Sequence, residues 1–286
     1  MSADKKFQFL LENIRRNKGV DFSLYREGTL RRRVDSRLRT TGCADYPEYV
    51  SCLNRHPEEY DRLIEAVTIN VTEFFRNPDT FLAIRKKVLP EIIKNKAGLR
   101  RLTTDYRRRT TVDRQRSNHI RVWCAGASYG EEAYSVAILF LQLLQKKNAG
   151  FEVKILGTDI DPDCVAKAKT GLYEPSHLKE AGRNILSRYF SREGNNYRVN
   201  DDVRQLTEFK PHNLISDKPF ENLDLILCRN VIIYFKKPLH EFVYNMFARC
   251  LKPGGFLVLG KVESPWGFDR GLFETVDNKE RIYRRM

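Results

Sequence analysis

The stretch VWCAGASYGEEAYS (residues 122–135) decides the fold, because it leads from a short apolar strand through a glycine-containing turn into a long apolar helix. Ile120–Cys124 predicts the strand, and Glu131–Lys147 predicts the helix. Downstream of this unit, strand and helix patterns alternate along the chain. Such alternation predicts an α/β fold with a mainly parallel sheet covered on both faces, in which ligands bind at the carboxyl ends of the strands.

The elements that follow have the lengths of buried strands and of the helices between them. A small antiparallel β subdomain is predicted within residues 187–210, with its turn near Gly194–Asn196. The other predicted elements are strands at Val153–Thr158, Leu223–Cys228 and 256–260, helices from Asp161 to Gly171 and from Pro238 to the Lys252–Gly255 stop, and a closing hairpin within residues 273–284.

The chain upstream of residue 120 shows only helical patterns. We therefore predict an all-helical N-terminal domain in residues 1–76, followed by an α/β domain in residues 77–286. Residues 98–119 contain seven arginines and two aspartates and lack any apolar period. This composition predicts an exposed basic loop.

Composition limits the class of protein. The 286 residues suffice for roughly two domains, and the 51 Lys and Arg against 37 Asp and Glu give a net charge of +14, which favours an acidic partner. The six cysteines and five histidines show no metal-binding spacing. Ala133–Gln145 is shorter than the roughly 20 apolar residues of a membrane span, and the N-terminus lacks the pattern of a secretory signal. We expect a cytoplasmic protein with no structural metal.

Polar residues follow the predicted strands where a ligand would bind. The turn has G-x-x-x-G spacing, so the dinucleotide fingerprint is absent, and its two glutamates would oppose a phosphate. Asp159 lies where α/β folds place a carboxylate on ribose hydroxyls, while Asp161 by itself explains the next helix cap. Asn213 could bond an adenine edge or cap a turn, and Tyr234 could face the crevice or the core.

The motifs together resemble the chemotaxis receptor methyltransferases, the CheR-type protein-glutamate O-methyltransferases. The matching segments, in the order of that family, are NVTEFFR (70–76), VWCAGASYGEEAYS (122–135), GTDID (157–161), CRNVIIYF (228–235) and LKPGG (251–255). The first and fourth are specific to the family, whereas a glycine turn and LKPGG occur in many methyltransferases.

The resemblance implies a Rossmann-like S-adenosylmethionine-dependent methyltransferase with an all-helical N-terminal domain and a small antiparallel subdomain. It implies transfer of a methyl group from S-adenosylmethionine to receptor glutamates, with S-adenosylhomocysteine as product. Arg76 and Tyr234 match the pair that orients the substrate carboxylate. The implied cofactor residues are Asn70, Thr72, Arg76, Gly126, Glu132, Asp159, Asn213, Leu214, Cys228 and Arg229.

The resemblance also identifies the partner as a methyl-accepting chemotaxis receptor with an acidic cytoplasmic coiled coil. The enzyme would be recruited to membrane receptor arrays without inserting into the membrane, and no nucleic acid is expected. The predicted docking residues lie on the second helix and are Arg32, Arg33, Arg37 and Arg39; a solvated basic face is the alternative.

Two departures from the family pattern affect what the resemblance implies. Ala133 replaces the usual proline after the paired glutamates, which the first turn of a helix tolerates. The hairpin turn in SREGNNYRV (191–199) is shorter than in members that bind a receptor's C-terminal pentapeptide. We therefore expect this protein not to depend on that tether.

Three other functions compete with this interpretation. The charge of +14 and the 98–119 stretch favour a nucleic-acid methyltransferase, but RNVI (229–232) stands where a [DN]PP[YF] motif would hold a flipped base. A non-catalytic adaptor with this fold would have no need of Arg76, Asp159 and Tyr234. A nicotinamide dehydrogenase would need the missing G-x-G-x-x-G.

Overall fold

The computed structural model describes residues 2–68, 70, 72–104, 119–147, 150–265 and 271–286. The chain divides into two compact units. The first consists of Met1–Asn70 and Ile232–Phe242, and the second of Val71–Val231 and Val243–Met286. Within the described ranges, no helix combines the length and the apolar character that crossing a membrane requires.

Helices build the first unit. Gly19 and Gly42 end two of them in the left-handed conformation, with φ of +70° and +73°. The predicted stripe of Leu30, Val34 and Leu38 is buried. The α-helices are Ala3–Lys18, Glu27–Thr41, Tyr46–Arg55 and Glu58–Thr68, and the 3-10 helices are Phe22–Leu24 and Ile232–Tyr234.

The described strands of the second unit form a seven-stranded sheet and a three-stranded sheet. The larger sheet has the order β6-β2-β1-β7-β8-β10-β9, and the smaller has the order β3-β5-β4. The strands are β1 His119–Ala125, β2 Glu152–Asp159, β3 Leu172–Tyr173, β4 Phe190–Glu193, β5 Asn196–Val199, β6 Thr207–Pro211, β7 Leu223–Cys228, β8 Leu251–Leu259, β9 Phe273–Asp277 and β10 Ile282–Arg285.

The larger sheet is parallel except at one end. Strand β1 pairs in parallel with β2 and β7, β2 with β6, and β7 with β8, whereas β10 runs antiparallel to both β8 and β9. Every residue of β7 is buried, as a central parallel strand requires. The predicted mainly parallel α/β fold is confirmed.

Helices connect these strands. Asp161 caps one of them, since its side chain accepts hydrogen bonds from the backbone of Asp163 and Cys164. The helices are Pro78–Ala83, the π-helix Ile84–Val88, Leu89–Thr104, Glu131–Lys147, Pro162–Thr170, the 3-10 helix Pro175–Leu178, Arg183–Tyr189, Asp201–Arg204 and Lys237–Cys250, whose residues up to Phe242 belong to the first unit.

A charged cluster stabilises the amino ends of the central strands. The carboxylate of Asp224, at the start of β7, lies 3.0 Å from the ammonium groups of Lys96 and Lys252 and accepts a 2.9 Å bond from the Arg121 backbone. Burial lowers the pKa of Lys96 to about 8, against the opposing effect of Asp224. These charges lie at the end of the sheet opposite the carboxyl ends of the parallel strands.

Several predicted boundaries were wrong. The helix Leu89–Thr104 runs into the predicted 98–119 loop, and His119 begins β1, while residues 105–118 lie outside the described residues. The small sheet begins at Leu172, because a two-residue strand too short to show a period pairs with β5. Residues 207–210 of the predicted subdomain belong to β6, which lies in the larger sheet because it pairs in parallel with β2.

Other boundaries agree more closely. The predicted turn near Gly194–Asn196 is confirmed, since Glu193 pairs with Asn196 and Gly194 has φ +61°. The closing hairpin is β9 and β10. The helix that begins at Lys237 ends at Cys250, close to the predicted stop. Strand β8 begins earlier than predicted and includes LKPGG, because a register shift opposite Leu223 and Leu225 accommodates its proline and glycines.

Candidate active site

The carboxyl ends of three neighbouring strands define one edge of the larger sheet. Strand β1 lies between β2 and β7, so the strand order reverses at β1. A crevice is expected at the carboxyl ends of the strands where the order reverses. The three strands end at Ala125, Asp159 and Cys228. The predicted residues Gly126, Asp159, Cys228 and Arg229 are therefore brought to the same edge.

Asp159 is buried at the end of β2, with 7% of its surface exposed. Its carboxylate accepts backbone hydrogen bonds from Ser128 at 2.8 Å and from Asp161 at 3.1 Å. Burial raises the pKa of Asp159 to about 6, although these bonds favour the charged form. Each oxygen retains a lone pair that can accept a ligand hydroxyl.

The glycine turn brings its backbone against β2 and against a neighbouring loop. The backbone amides of Gly126 and Ala127 both donate to the Thr158 carbonyl at 2.8 Å. Gly126 has φ +72°, and a Cβ atom there would lie 2.3 Å from Val231 Cγ2. The absence of a side chain at Gly126 makes room for Val231, and contact of its backbone with a cofactor stays a prediction.

Arg229 binds protein groups with its buried guanidinium. Its side chain is 1% exposed and donates to Glu132 Oε2 at 2.8 Å, to Asn77 Oδ1 at 2.7 Å and to the Arg76 carbonyl at 3.0 Å. It also lies over the Phe81 ring, 5.5 Å from the centroid. These contacts make the guanidinium a support for Glu132 and the Arg76 backbone, and its direct contact with a cofactor stays a prediction.

The NVTEFFR segment is held in an unusual conformation. Phe75 has φ +56° and the following Asn77 has φ +61°, a region that costs non-glycine residues free energy. The Phe75 amide donates to Ser135 Oγ at 3.0 Å, and the buried Phe74 ring lies 5.0 Å from that of Phe190. Backbone strain of this kind is typical of a functional site.

A histidine–glutamate pair at this edge was missed by the sequence reasoning. His177 Nδ1 lies 2.6 Å from Oε1 of the fully buried Glu131. Burial raises the pKa of Glu131, and the bond to Glu131 raises the pKa of His177. The two residues are 46 positions apart, so no sequence spacing could have revealed the pair.

A second missed residue is Glu263, which is 3% exposed. Its Oε2 accepts backbone bonds from Asn230 at 2.9 Å and from Gly260 at 2.7 Å. Asn230 has φ +61°, so Glu263 fixes the turn that follows Arg229. Glu263 lies outside the sequence motifs that resemble the family. The only signal in the sequence is its position shortly after strand β8.

The remaining predicted cofactor residues of the second unit have different environments. The Asn213 side chain accepts from the Ile215 backbone at 3.0 Å, as in a capped turn, and Leu214 beside it is half-buried. Cys228 is fully buried, and burial raises the pKa of its thiol, so the thiol stays neutral at pH 7. Thr72 is half-buried and belongs to the NVTEFFR segment.

Tyr234 and Asn70 belong to the first unit. Tyr234 ends the 3-10 helix Ile232–Tyr234 and is half-buried, and its carbonyl accepts a 2.8 Å bond from the Arg26 backbone. Arg76 belongs to the second unit. The joint action of Arg76 and Tyr234 on a substrate stays a prediction.

The arginines of the helix Glu27–Thr41 differ in what they contact. Arg32 and Arg39 are exposed. Arg37 is not suited to docking, because it binds the buried Glu59 through two bonds of 2.9 and 2.6 Å. Arg33 is half-buried and reaches the Ala66 carbonyl at 3.5 Å.

The site fits S-adenosylmethionine. Among the described residues, five buried polar atoms near the carboxyl edge have no hydrogen-bond partner: Ser128 Oγ, Glu131 Oε2, His212 Nδ1, Arg229 Nε and Asn230 Oδ1. Buried polar atoms are rarely left unpaired. Beside the Asp159 carboxylate, such donors and acceptors suit a ligand with ribose hydroxyls, an adenine and an amino acid group.

Comparison with protein families matches both parts of the chain. Residues 5–68 match the CheR methyltransferase all-alpha domain, and residues 70–281 match the CheR methyltransferase SAM binding domain. Together these models cover most of the chain.

Individual relatives agree. A putative methyltransferase Cher3 of Pseudomonas putida is 31% identical over 99% of this chain and 98% of its own. The chemotaxis protein methyltransferase of Escherichia coli is 30% identical over 92% of this chain and 85% of its own. An uncharacterized 104.1 kDa protein of Rhodobacter capsulatus is 31% identical over 86% of this chain, which spans 24% of that protein.

The SAM binding model covers every strand of the larger sheet except β10, and with it the whole carboxyl edge at Ala125, Asp159 and Cys228. S-adenosylmethionine is therefore the cofactor of this domain. The chain belongs to the CheR methyltransferase family and is an S-adenosylmethionine-dependent methyltransferase.

Proposed function

We propose that this protein transfers a methyl group from S-adenosylmethionine to glutamate side-chain carboxylates of chemotaxis receptors, giving glutamate methyl esters. Relatives over most of the chain's length are named chemotaxis protein methyltransferases. The observation that carries the proposal is the fixed backbone of Arg76, whose carbonyl is bound by the buried Arg229. A guanidinium on a fixed backbone suits an anionic substrate.

The chemistry requires no general base on the protein. A glutamate with a pKa near 4.3 is already ionised at pH 7. S-adenosylmethionine, when bound, supplies an electrophilic methyl group on a sulfonium. In our proposal Arg76 and the Tyr234 hydroxyl hold one part of the substrate carboxylate, so that the other oxygen keeps a free lone pair in line with that methyl group.

Removal of water should favour the same step. The carboxylate loses its negative charge when its oxygen is methylated, and the sulfonium loses its positive charge. Water stabilises the two charged reactants more than the transition state, in which both charges are decreasing, so the barrier is lower in a dry site. We propose that Asn70, Thr72, Arg76, Glu132, Asp159, Asn213, Leu214 and the backbone at Gly126 and Cys228 line the cofactor side of this site, with Arg229 as their support.

We further propose that the helical N-terminal domain, in residues 1–76, docks on the acidic coiled coil of the receptor in the cytoplasm. Arg32 and Arg39 are the arginines of the second helix that are exposed to such a partner. Docking through exposed charges should weaken as salt increases. The tight turn at Gly194 supports the expectation that a receptor pentapeptide is not needed.

The test of the proposed function has two steps. Calorimetric titration with S-adenosylhomocysteine should show one-to-one binding that Asp159→Ala weakens. Incubation with radiolabelled S-adenosylmethionine and receptor cytoplasmic domains should then give label that alkali releases as methanol. Label that resists alkali would contradict methyl ester formation while leaving the cofactor assignment intact.

The docking proposal needs its own comparison. Arg32→Glu with Arg39→Glu should lower methylation of the receptor and leave S-adenosylhomocysteine binding unchanged. Arg16→Glu is the matched control, since Arg16 is an exposed arginine on the helix Ala3–Lys18 with a 75% exposed side chain. An equal loss in both variants would refute docking through the second helix.

A further inference from the structure

The His177–Glu131 pair connects three parts of the second unit. Glu131 begins the helix Glu131–Lys147, directly after the glycine turn, and is fully buried. His177 belongs to the 3-10 helix Pro175–Leu178, which follows β3. Its Nδ1 lies 2.6 Å from Glu131 Oε1, so the side chains join the glycine turn to the smaller sheet.

The backbone of His177 forms the third connection. Its carbonyl accepts a 2.9 Å hydrogen bond from the Phe74 amide, in the middle of the NVTEFFR segment. The Phe74 ring is fully buried and lies 4.8 Å from the Tyr173 ring, edge to face. Side-chain hydrogen bonding by Thr72 also lowers the pKa of Glu131. His177 thus contacts both the segment and the carboxylate beside it.

The charges around this pair act in opposite directions. Glu131 and Glu174 raise the pKa of His177, whereas burial and Lys167 lower it. Two tyrosines also face the pair: the Tyr129 and Tyr173 rings lie 6.2 and 5.8 Å from the imidazole, and Tyr173 donates its hydroxyl to the Tyr129 carbonyl. Burial raises the pKa of Tyr173, so it stays neutral.

We propose that His177 is a positioning residue of the cofactor site, whose imidazolium is paired with Glu131 and fixes the Thr72–Arg76 segment against the glycine turn. Loss of the imidazolium proton would leave the Glu131 carboxylate buried without its counter-charge, and the segment would lose one of its attachments. The inference rests on the proposed assignment of Thr72 and Arg76 to the cofactor site. It makes cofactor affinity depend on the charge of a residue that binds no cofactor atom.

Titration calorimetry with S-adenosylhomocysteine across neutral and mildly alkaline pH tests this role. The affinity of the unaltered protein should fall as pH rises through the raised pKa of His177. In His177→Asn the side-chain amide can still donate to Glu131 but cannot titrate. We expect this variant to bind S-adenosylhomocysteine at least about fivefold more weakly near neutral pH. It should also lose the fall in affinity that accompanies deprotonation of His177.

A matched control lies at the opposite edge of the sheet. His119 Nδ1 lies 3.1 Å from Glu152 Oε2, at the amino ends of β1 and β2. His119→Asn removes a similar pair and should leave S-adenosylhomocysteine affinity and its pH dependence unchanged. Parallel pH curves for the unaltered protein and His177→Asn would overturn the positioning role, because a purely structural loss weakens binding equally at every pH.

Two further measurements separate the possible failures. Thr72→Ala should weaken S-adenosylhomocysteine binding, and if it does not, the cofactor assignment of the segment is wrong, whatever His177 does. The imidazole titration of His177, followed by NMR in the unaltered protein, should move to higher pH when S-adenosylhomocysteine is added. An unmoved titration would refute the inference without any variant that could misfold.

Discussion

Arg229 and Glu132 form an ion pair of 2.8 Å in which the arginine side chain is 1% exposed and the glutamate side chain 16% exposed. The same guanidinium binds the Arg76 carbonyl and Asn77. One buried side chain thus connects a predicted cofactor residue, the strained NVTEFFR segment and the end of β7. A substitution that displaces any one of the three should therefore also displace the other two.

Replacing this arginine should affect both affinity and stability. Arg229→Met leaves Glu132 without its partner, and breaking a buried pair in this way costs about 3–5 kcal/mol of unfolding free energy. S-adenosylhomocysteine affinity should fall at least about tenfold, which corresponds to about 1.4 kcal/mol. Denaturant unfolding and calorimetric titration measure the two effects.

Arg284 provides the control for that variant. It also pairs with a glutamate, Glu91, and lies 5.3 Å from the centroid of a phenylalanine ring, that of Phe256. Its place on β10 is remote in strand order from β1, so Arg284→Met should not weaken cofactor binding. A loss of affinity as large as that of Arg229→Met would contradict a specific role for Arg229.

Cofactor binding should depend on the ionisation of Asp159. The pKa of this residue is raised to about 6 in the folded protein, and ribose hydroxyls donate to the charged form. S-adenosylhomocysteine affinity should therefore rise as pH increases from about 5 to 7, the range over which such a group loses its proton. Asp159→Asn should abolish this rise, and calorimetry at several pH values measures it.

The same pKa has the opposite effect on the stability of the free protein. Because the folded pKa is raised above the unfolded value, Asp159 contributes stability that is fully present below the unfolded pKa. This contribution is lost as pH rises through about 6. The difference in unfolding free energy between the unaltered protein and Asp159→Asn should thus change between the unfolded and the folded pKa of Asp159. A constant difference would contradict the raised pKa.

Arg37 should act on stability and not on receptor recognition. Its partner Glu59 is 3% exposed and also accepts a 2.8 Å bond from the Tyr49 hydroxyl. Arg37→Ala should lower the unfolding free energy by about 3 kcal/mol, since it leaves the buried Glu59 carboxylate without its counter-charge. The exposed Arg32 is the control, because Arg32→Ala should change stability by less than about 0.5 kcal/mol. Equal thermal shifts for the two would refute this assignment.

Gly126 should tolerate no side chain while Val231 faces it. The positive φ strains any other residue, and the added Cβ would lie 2.3 Å from Val231 Cγ2. Gly126→Ala should destabilise the protein by roughly 2 kcal/mol or more. Adding Val231→Ala should restore part of that loss, as measured by denaturant unfolding. Additive losses in the double variant would show that the steric contact is not responsible.

The sequence allowed the central sheet to be predicted because its strands are buried on both faces. Leu223–Cys228 and Glu131–Lys147 have the predicted bounds, since a continuous apolar run and a long apolar helix are unambiguous patterns. Strand β3 could not be predicted, because two residues have no period. Strand β6 was assigned to the wrong sheet, because its partner β2 lies far away in the chain.

The same distinction applies to the candidate site. Motif residues such as Asp159 could be named because strand ends are visible in the sequence. The pairs Arg229–Glu132, His177–Glu131 and Arg37–Glu59 join residues 97, 46 and 22 positions apart. Only the folded chain decides which charges meet, so Arg37 could not be told from Arg32 beforehand.

The order of the smaller sheet has a consequence for self-association. Strand β4 lies at its edge, and exposed sheet edges are where unrelated chains add further strands and aggregate. Here the edge is four residues long and contains Arg192 and Glu193, both exposed. A short, charged edge discourages the pairing of further strands, so the smaller sheet is not expected to be a site of self-association.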